Sequence, residues 1–408
     1  MPRRRLIALV GVWVVALCAV SAICAVHAYD STTHSLSDWI IFEVGARTLV
    51  HYHHTTTNLY DTPRLHVYVD NPDIQIGPPA LWFVAAFEGL RVRTVYGLFS
   101  VIMAVIGLAG VFAAIITGRR EAWRGWERGG KVALIVAASL LAAAFIAEEA
   151  NRWKHLDDLM AVTLACVSAY LISRRRAWWL IGLLLGTGVA AKPWALILAP
   201  ILLALPRRDI ARATLVTVGV AAAWWAPFVI AAPGTVQALG HWQIIPDPGS
   251  VLRLVGIQGD VSRWLRPVQF FLGLGMCAYV CRNRPWVSAP LAALATRVLT
   301  DPYAFGYYSL GPLTFALLYD CAGGGWQGLP TWTALTALLD VGLSNIVPHL
   351  GIDSPMHQQT VLAVAKLLWA VSVLAAVLAP TRFNRGRSEV TDKLAEPSAG
   401  ALSEAARA

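Results

Sequence analysis

The sequence predicts an all-α polytopic membrane protein, and three observations carry that expectation. Hydrophobic residues make up 57% of the 408-residue chain, charged residues only 14%, and the mean hydropathy is +0.57. So little charge cannot clothe a water-soluble surface, and lipid is expected to solvate most of the chain. Apolar runs recur at 6–28, 94–117, 131–147, 156–173, 177–191, 193–205, 210–232, 267–281, 286–299, 304–319, 330–348 and 360–379. Several approach the roughly 20 residues that a helix needs to cross hydrocarbon, which points to about 10–13 transmembrane helices. Basic clusters fall on every second connection: Arg3-Arg4-Arg5, Arg119 to Lys131, Arg174-Arg175-Arg176, Arg207-Arg208, Arg282 with Arg284, and Arg382, Arg385 and Arg387. Lysine and arginine accumulate on the cytoplasmic side, so both termini of this multi-pass cell-membrane protein are expected in the cytoplasm.

The elements follow in order. The first run has a basic start, and Val26-His27-Ala28 has the small residues of a cleavage site. Its apolar core exceeds the roughly 7–15 residues of a secretory signal, so it is read as a retained anchor. The connection 29–78 is a long outer loop in which SLSDWIIFEVGARTLV reads as a helix lying along the membrane surface. Arg91 and Arg93 depart from the alternation and are read as flanking a short interfacial or re-entrant helix at 79–90. Runs 177–191 and 193–205 meet at Lys192-Pro193, which predicts either two tilted helices or one broken helix, because proline removes a backbone donor. Residues 1–380 therefore form the membrane domain. Residues 381–408 read as a disordered cytoplasmic tail whose basic start meets anionic lipid head groups.

Several function classes are disfavoured. The net charge of +9 is distributed over short linkers and builds no continuous patch with stacking aromatics, so no nucleic-acid partner is expected. Cys18, Cys24, Cys166, Cys277 and Cys281 lie within apolar runs and Cys321 adjoins one, which predicts no disulfide framework in the outer loops. His51-Tyr52-His53-His54 matches no established metal-ligand spacing.

The outer connections 29–78, 148–155, 232–266, 300–303 and 349–359 are acidic, aromatic and histidine-bearing, which points to chemistry on the extracytoplasmic side. Asp38, in the surface helix, is placed to act as a general base on a hydroxyl at the lipid–water boundary. The same residue closes the pattern Ser35-x-x-Asp38, a capping box, and both readings stand. Glu43 reads as a solvated helix face. In EEANRWKHLDDLMAV, Arg152, Lys154 and His155 suit a phosphate, and Asp157 and Asp158 suit sugar hydroxyls. Two aspartates at a helix start are equally what the helix dipole favours, and Trp153 suits an interfacial aromatic belt. Asp340 and Lys366 lie inside apolar runs at depths of about 10–14 Å from the helix rise per residue, and are expected to pair.

In their order and in their positions relative to the apolar runs, SDWIIFEVGARTL, NLYD, IQIGPPALW, KHLDDLMAV, GLLLGTGVAAKPWALILAPILL and DPYAFGYYSLGP resemble a known family. That family is the polyprenol-phosphate-mannose-dependent mannosyltransferases of actinobacteria, membrane glycosyltransferases of the GT-C type (glycosyltransferase family 87-like). The resemblance implies a GT-C-like bundle with an extracytoplasmic active site and a catalytic Asp38. It implies a polyprenyl-phosphate sugar donor, most simply mannose, a glycolipid or glycan acceptor, and one inverting displacement. Lys154, His155 and Lys192, with Arg297 and His349, are the cations it suggests for the departing phosphate, and Tyr307 and Tyr308 would contact the sugar. It implies no cofactor and no metal. The competing expectations are a lipid or sugar flippase without chemistry, which Lys192-Pro193 and the Asp340/Lys366 pair would also suit, and a membrane assembly subunit.

Overall fold

The computed structural model describes residues 36–50, 64–87, 92–121, 138–142, 146, 155–175, 177–240, 243–303, 309–325, 329–339, 343–349 and 354–379. Among the described residues there are helices and connections and no strands. The principal helices are α1 (Leu36–Val50), α2 (Pro78–Ala85), α3 (Val92–Glu121), α4 (Leu156–Ser173), α5 (Trp178–Ala191), α6 (Arg207–Ala231), α7 (Ser262–Asn283), α8 (Ala289–Thr300), α9 (Leu310–Cys321), α10 (Thr331–Ala337) and α11 (Pro355–Leu378). Four stretches are long and apolar enough to cross a membrane: Val101–Arg120, Leu156–Ser173, Arg207–Ala231 and Pro355–Leu378. Trp178–Ala191, Pro193–Ala204 and Leu310–Cys321 are shorter apolar helices. This architecture is consistent with an α-helical membrane protein.

The break at Lys192 is resolved in favour of two segments. Helix α5 ends there, the backbone of Lys192 is extended (φ −144°, ψ 109°), and Pro193 opens a 3-10 stretch, Pro193–Ala204. Proline cannot donate to the preceding turn, and its ring disfavours a helical residue before it. The 3-10 stretch runs back, so α5 and α6 lie side by side in the same direction. Gly182 abuts Ala213 and Val216, and one turn on Gly186 abuts Thr217 and Val220. Small residues four apart let two helix backbones approach this closely. Helices α3 and α4 are also parallel, since Thr163 donates to the Ile106 carbonyl at 3.1 Å and Gly110 abuts Thr163, while Gly107 abuts Leu159.

Contacts between connections keep to one end of the bundle or the other. Arg120 Nε donates to the Ser173 carbonyl at 2.7 Å and Arg284 Nη2 to that of Leu378 at 2.5 Å, joining ends expected inside. At the opposite end, Gly77 N–H donates to Ala191 at 3.0 Å, His66 Nε2 lies 3.0 Å from the Ala231 carbonyl, and Asp247 N–H donates to Pro302 at 2.7 Å. Of the helix expected at 79–90, α2 accounts for the part up to Ala85, packed against α1 with Pro78, Pro79, Leu81 and Val84 buried, and residues 88–90 lie outside the described residues. The first run, His51 to His54, Asp340 and the tail lie outside the described residues.

Candidate functional site

A cavity of about 620 Å³ opens where the connections of that second end converge. Its wall takes Ile41 and Phe42 from α1, Asp73, Gln75 and Ile76 from the connection before α2, and His155 and Asp157 from the start of α4. Lys192, Pro193 and Trp194 come from the helix break, Leu265, Arg266, Gln269 and Phe270 from α7, and Arg297, Asp301 and Tyr303 from the end of α8. Among the described residues, none from the arginine-rich connections expected inside lines it.

Local sequence fixes these positions. Tyr68 donates to the Ile76 carbonyl at 2.7 Å, and its ring meets Trp225 at 5.1 Å and Phe228 at 5.2 Å, anchoring the loop that carries Asp73 and Gln75 to α6. Gly77 then docks on the end of α5. A Cβ there would lie 1.8 Å from the Ala190 carbonyl, so only glycine permits the approach. Across the cavity, the segment 243–261 packs Ile244, Leu252, Val261 and Leu265 into a small apolar cluster with Ile257 and Tyr303. Asp260 braces it by accepting the N–H groups of Ile244 and Ser262, and these bonds hold its carboxyl below the usual carboxylate range.

Besides the exposed Asp73, two clusters of charged side chains occupy the wall. In the first, the Lys192 ammonium lies 2.5 Å from Asp157 and 3.2 Å from Asp158, with His155 Nδ1 at 3.8 and 3.6 Å from the same carboxylates. The side chains of Asp157 and Asp158 are only 1% and 4% exposed, so the lysine is required to compensate charge that burial would otherwise make prohibitive. His155, Asp157 and Asp158 offer ligand atoms within 4.8 Å of one another, a spacing suited to a metal ion. The Lys192 ammonium already stands between the two carboxylates and supplies the positive charge that a metal would bring.

In the second group, Arg297 Nε lies 3.3 Å from Asp301, and Arg266 stands exposed at the rim. Burial pushes the Asp301 carboxyl up, against the pull of Arg297, Lys366 and Arg266. Trp194 connects the groups: its indole N–H donates to Asp158 at 2.5 Å, and the Arg297 guanidinium sits 4.3 Å from the ring centroid. In the same wall the Gln75 amide nitrogen is buried without a hydrogen-bond partner among the described residues. An unmet buried donor costs about 1–3 kcal/mol, and a neutral hydrogen bond that it donates to a ligand oxygen, itself stripped of water, would contribute about 0.5–1.5 kcal/mol net.

Of the residues singled out from sequence, His155, Asp157, Asp158, Lys192 and Arg297 come together here. Asp38 lies in α1 one turn before Ile41 and Phe42, which line the cavity; its side chain, like Lys154, Tyr307 and Tyr308, lies outside the described residues. His349 is exposed at the end of a short 3-10 turn and is not part of the lining. Glu43 pairs with Arg47 one turn on along α1, with its own side chain half-buried where a solvated face was expected. Trp194, Gln75 and Arg266 were not singled out. An aromatic directly after Lys192-Pro193 was the available signal for the first, and nothing in the sequence marked the other two.

No family model, no curated protein and no solved structure matches the chain. The helical fold and this site together define an α-helical protein of membrane type with a charged, aromatic-lined cavity at one end of its bundle.

Proposed function

We propose that this protein is a membrane glycosyltransferase that moves a sugar, most simply mannose, from a polyprenyl-phosphate donor to a glycolipid or glycan acceptor on the extracytoplasmic side. The observation that carries the reading is the cavity itself, in which carboxylates, cations, an unmet amide donor and aromatic rings converge from the connections expected outside. A sugar hydroxyl needs hydrogen-bond partners, a departing phosphate needs cations, and an isoprenyl chain needs apolar wall. Asp38, one turn from the cavity wall along α1, is the proposed general base that takes the acceptor proton as its oxygen attacks the anomeric carbon. Bond formation to the acceptor and cleavage of the bond to phosphate then occur in one inverting step.

The reading is tested with purified protein in lipid nanodiscs, supplied with radiolabelled polyprenyl-phosphate-mannose and membrane glycolipid acceptors. Labelled glycolipid is the expected product. Donor crossing the bilayer without labelled product favours the flippase reading, which draws on the helix break at Lys192.

A further inference from the structure

The two charged groups of the cavity differ in composition, and the difference fixes an orientation. At one end, two buried carboxylates share one lysine, with His155 beside them. The Lys192 ammonium is thereby committed to Asp157 and Asp158. At the other end a single lining carboxylate, Asp301, faces two lining cations, Arg297 in direct contact and Arg266 acting on it electrostatically, while Lys366 adds its field from outside the lining. The carboxylates near Tyr303 do not alter this balance within the wall, since neither Asp247 nor Asp260 lines the cavity. The unmet Gln75 donor comes from the loop whose Gly77 docks beside Lys192.

We infer that the cavity holds a phosphate-linked sugar in one orientation, with the phosphate at Arg266 and Arg297 and the sugar hydroxyls at Gln75 and Asp157. Arginine suits the phosphate because its planar fork presents several N–H groups to tetrahedral oxygens and keeps its charge at every relevant pH. Arg266 at the rim meets the anion first and Arg297, against the face of Trp194, receives it inside. Lys192 is then a positioning residue for Asp157 and Asp158 and makes no contact with phosphate. The orientation rests on reading the cavity as a sugar-phosphate site, but it concerns binding and does not require turnover.

The test measures binding by calorimetry on the full-length protein in nanodiscs. The probes are citronellyl phosphate, citronellyl phosphate carrying mannose, and inorganic phosphate. Arg266→Gln and Arg297→Gln are expected to weaken citronellyl phosphate at least tenfold, with Arg297→Lys recovering part of the loss if the pair with Asp301 matters for folding. Arg263→Gln, exposed and outside the lining, is expected to bind as wild type does. In Gln75→Leu the mannose-bearing probe is expected to lose most of its advantage over the bare prenyl phosphate. Loss of phosphate binding in Lys192→Met with retention in both arginine variants would overturn the orientation. Absence of prenyl-phosphate binding in the wild type, or inorganic phosphate competing equally well, would overturn the lipid-linked ligand. Sugar transfer is scored separately: no transfer with this binding pattern intact defeats the enzyme reading alone, and transfer with the pattern reversed defeats the orientation alone.

Discussion

Trp194 donates its indole N–H to Asp158 at 2.5 Å while its ring carries the Arg297 guanidinium 4.3 Å from its centroid, so one side chain braces both charged groups of the cavity. Trp194→Phe keeps a ring for Arg297 and removes the donor. A hydrogen bond to a charged group contributes about 1.5–3 kcal/mol. The variant is expected to lower the thermal midpoint and to slow sugar transfer about tenfold, measured by thermal unfolding and transfer rate in the same nanodiscs.

Lys192→Met leaves Asp157 and Asp158 side by side without their cation. Breaking a buried ion pair by removing one partner costs about 3–5 kcal/mol, so this variant is expected to be strongly destabilised. Adding Asp157→Asn should restore part of the loss. A double-mutant cycle of thermal stability reads the coupling, and additive effects would show that the contact contributes little.

Gly77→Ala forces a methyl against the Ala190 carbonyl, whereas Gly219, inside α6, has nothing within 4 Å of an added Cβ. Overpacking costs about 1–3 kcal/mol, and alanine favours a helix interior over glycine by about 0.5–1 kcal/mol. Gly77→Ala is therefore expected to destabilise and Gly219→Ala to be neutral or mildly stabilising, as read by thermal midpoints.

Asp260 gives the outer segment a pH dependence of defined sign. Its folded carboxyl is held below its unfolded value by the N–H groups of Ser262 and Ile244. The resulting stability is present above the unfolded value and is lost as pH falls through the folded one. The protection of residues 243–262, corrected for the intrinsic exchange rate at each pH, is expected to fall on acidification, and Asp260→Asn should flatten that dependence.

Much of the bundle was legible because lipid imposes a strong length and polarity code. The run at 156–173 coincides with α4, and the run at 210–232 with most of α6. Lysine-proline chemistry marked the break at residue 192. The gathering of His155, Asp157, Asp158, Lys192 and Arg297 was anticipated as a set of candidates, but the roles within it were not. Lys192 was expected among the cations that face a phosphate; its pairing with two aspartates carried no sequence signal, because the contact with Asp157 spans 35 positions and depends on how the 3-10 stretch turns back. Gln75 carries no pattern signal, since an unmet amide exists only once its neighbours are in place. The parallel packing of α5 on α6 was hidden for a similar reason: Gly182 and Gly186 are ordinary residues of an apolar run until Ala213 and Thr217 are brought against them.

The most direct test of the central claim compares sugar transfer from polyprenyl-phosphate-mannose by the wild type and by Asp38→Asn, with folding of both verified by thermal unfolding. The isosteric amide keeps a capping oxygen and abolishes the base. Removal of a general base is expected to lower the rate about a hundredfold or more. An Asp38→Asn variant that transfers sugar as fast as the wild type would contradict the account and leave Asp38 as a helix cap.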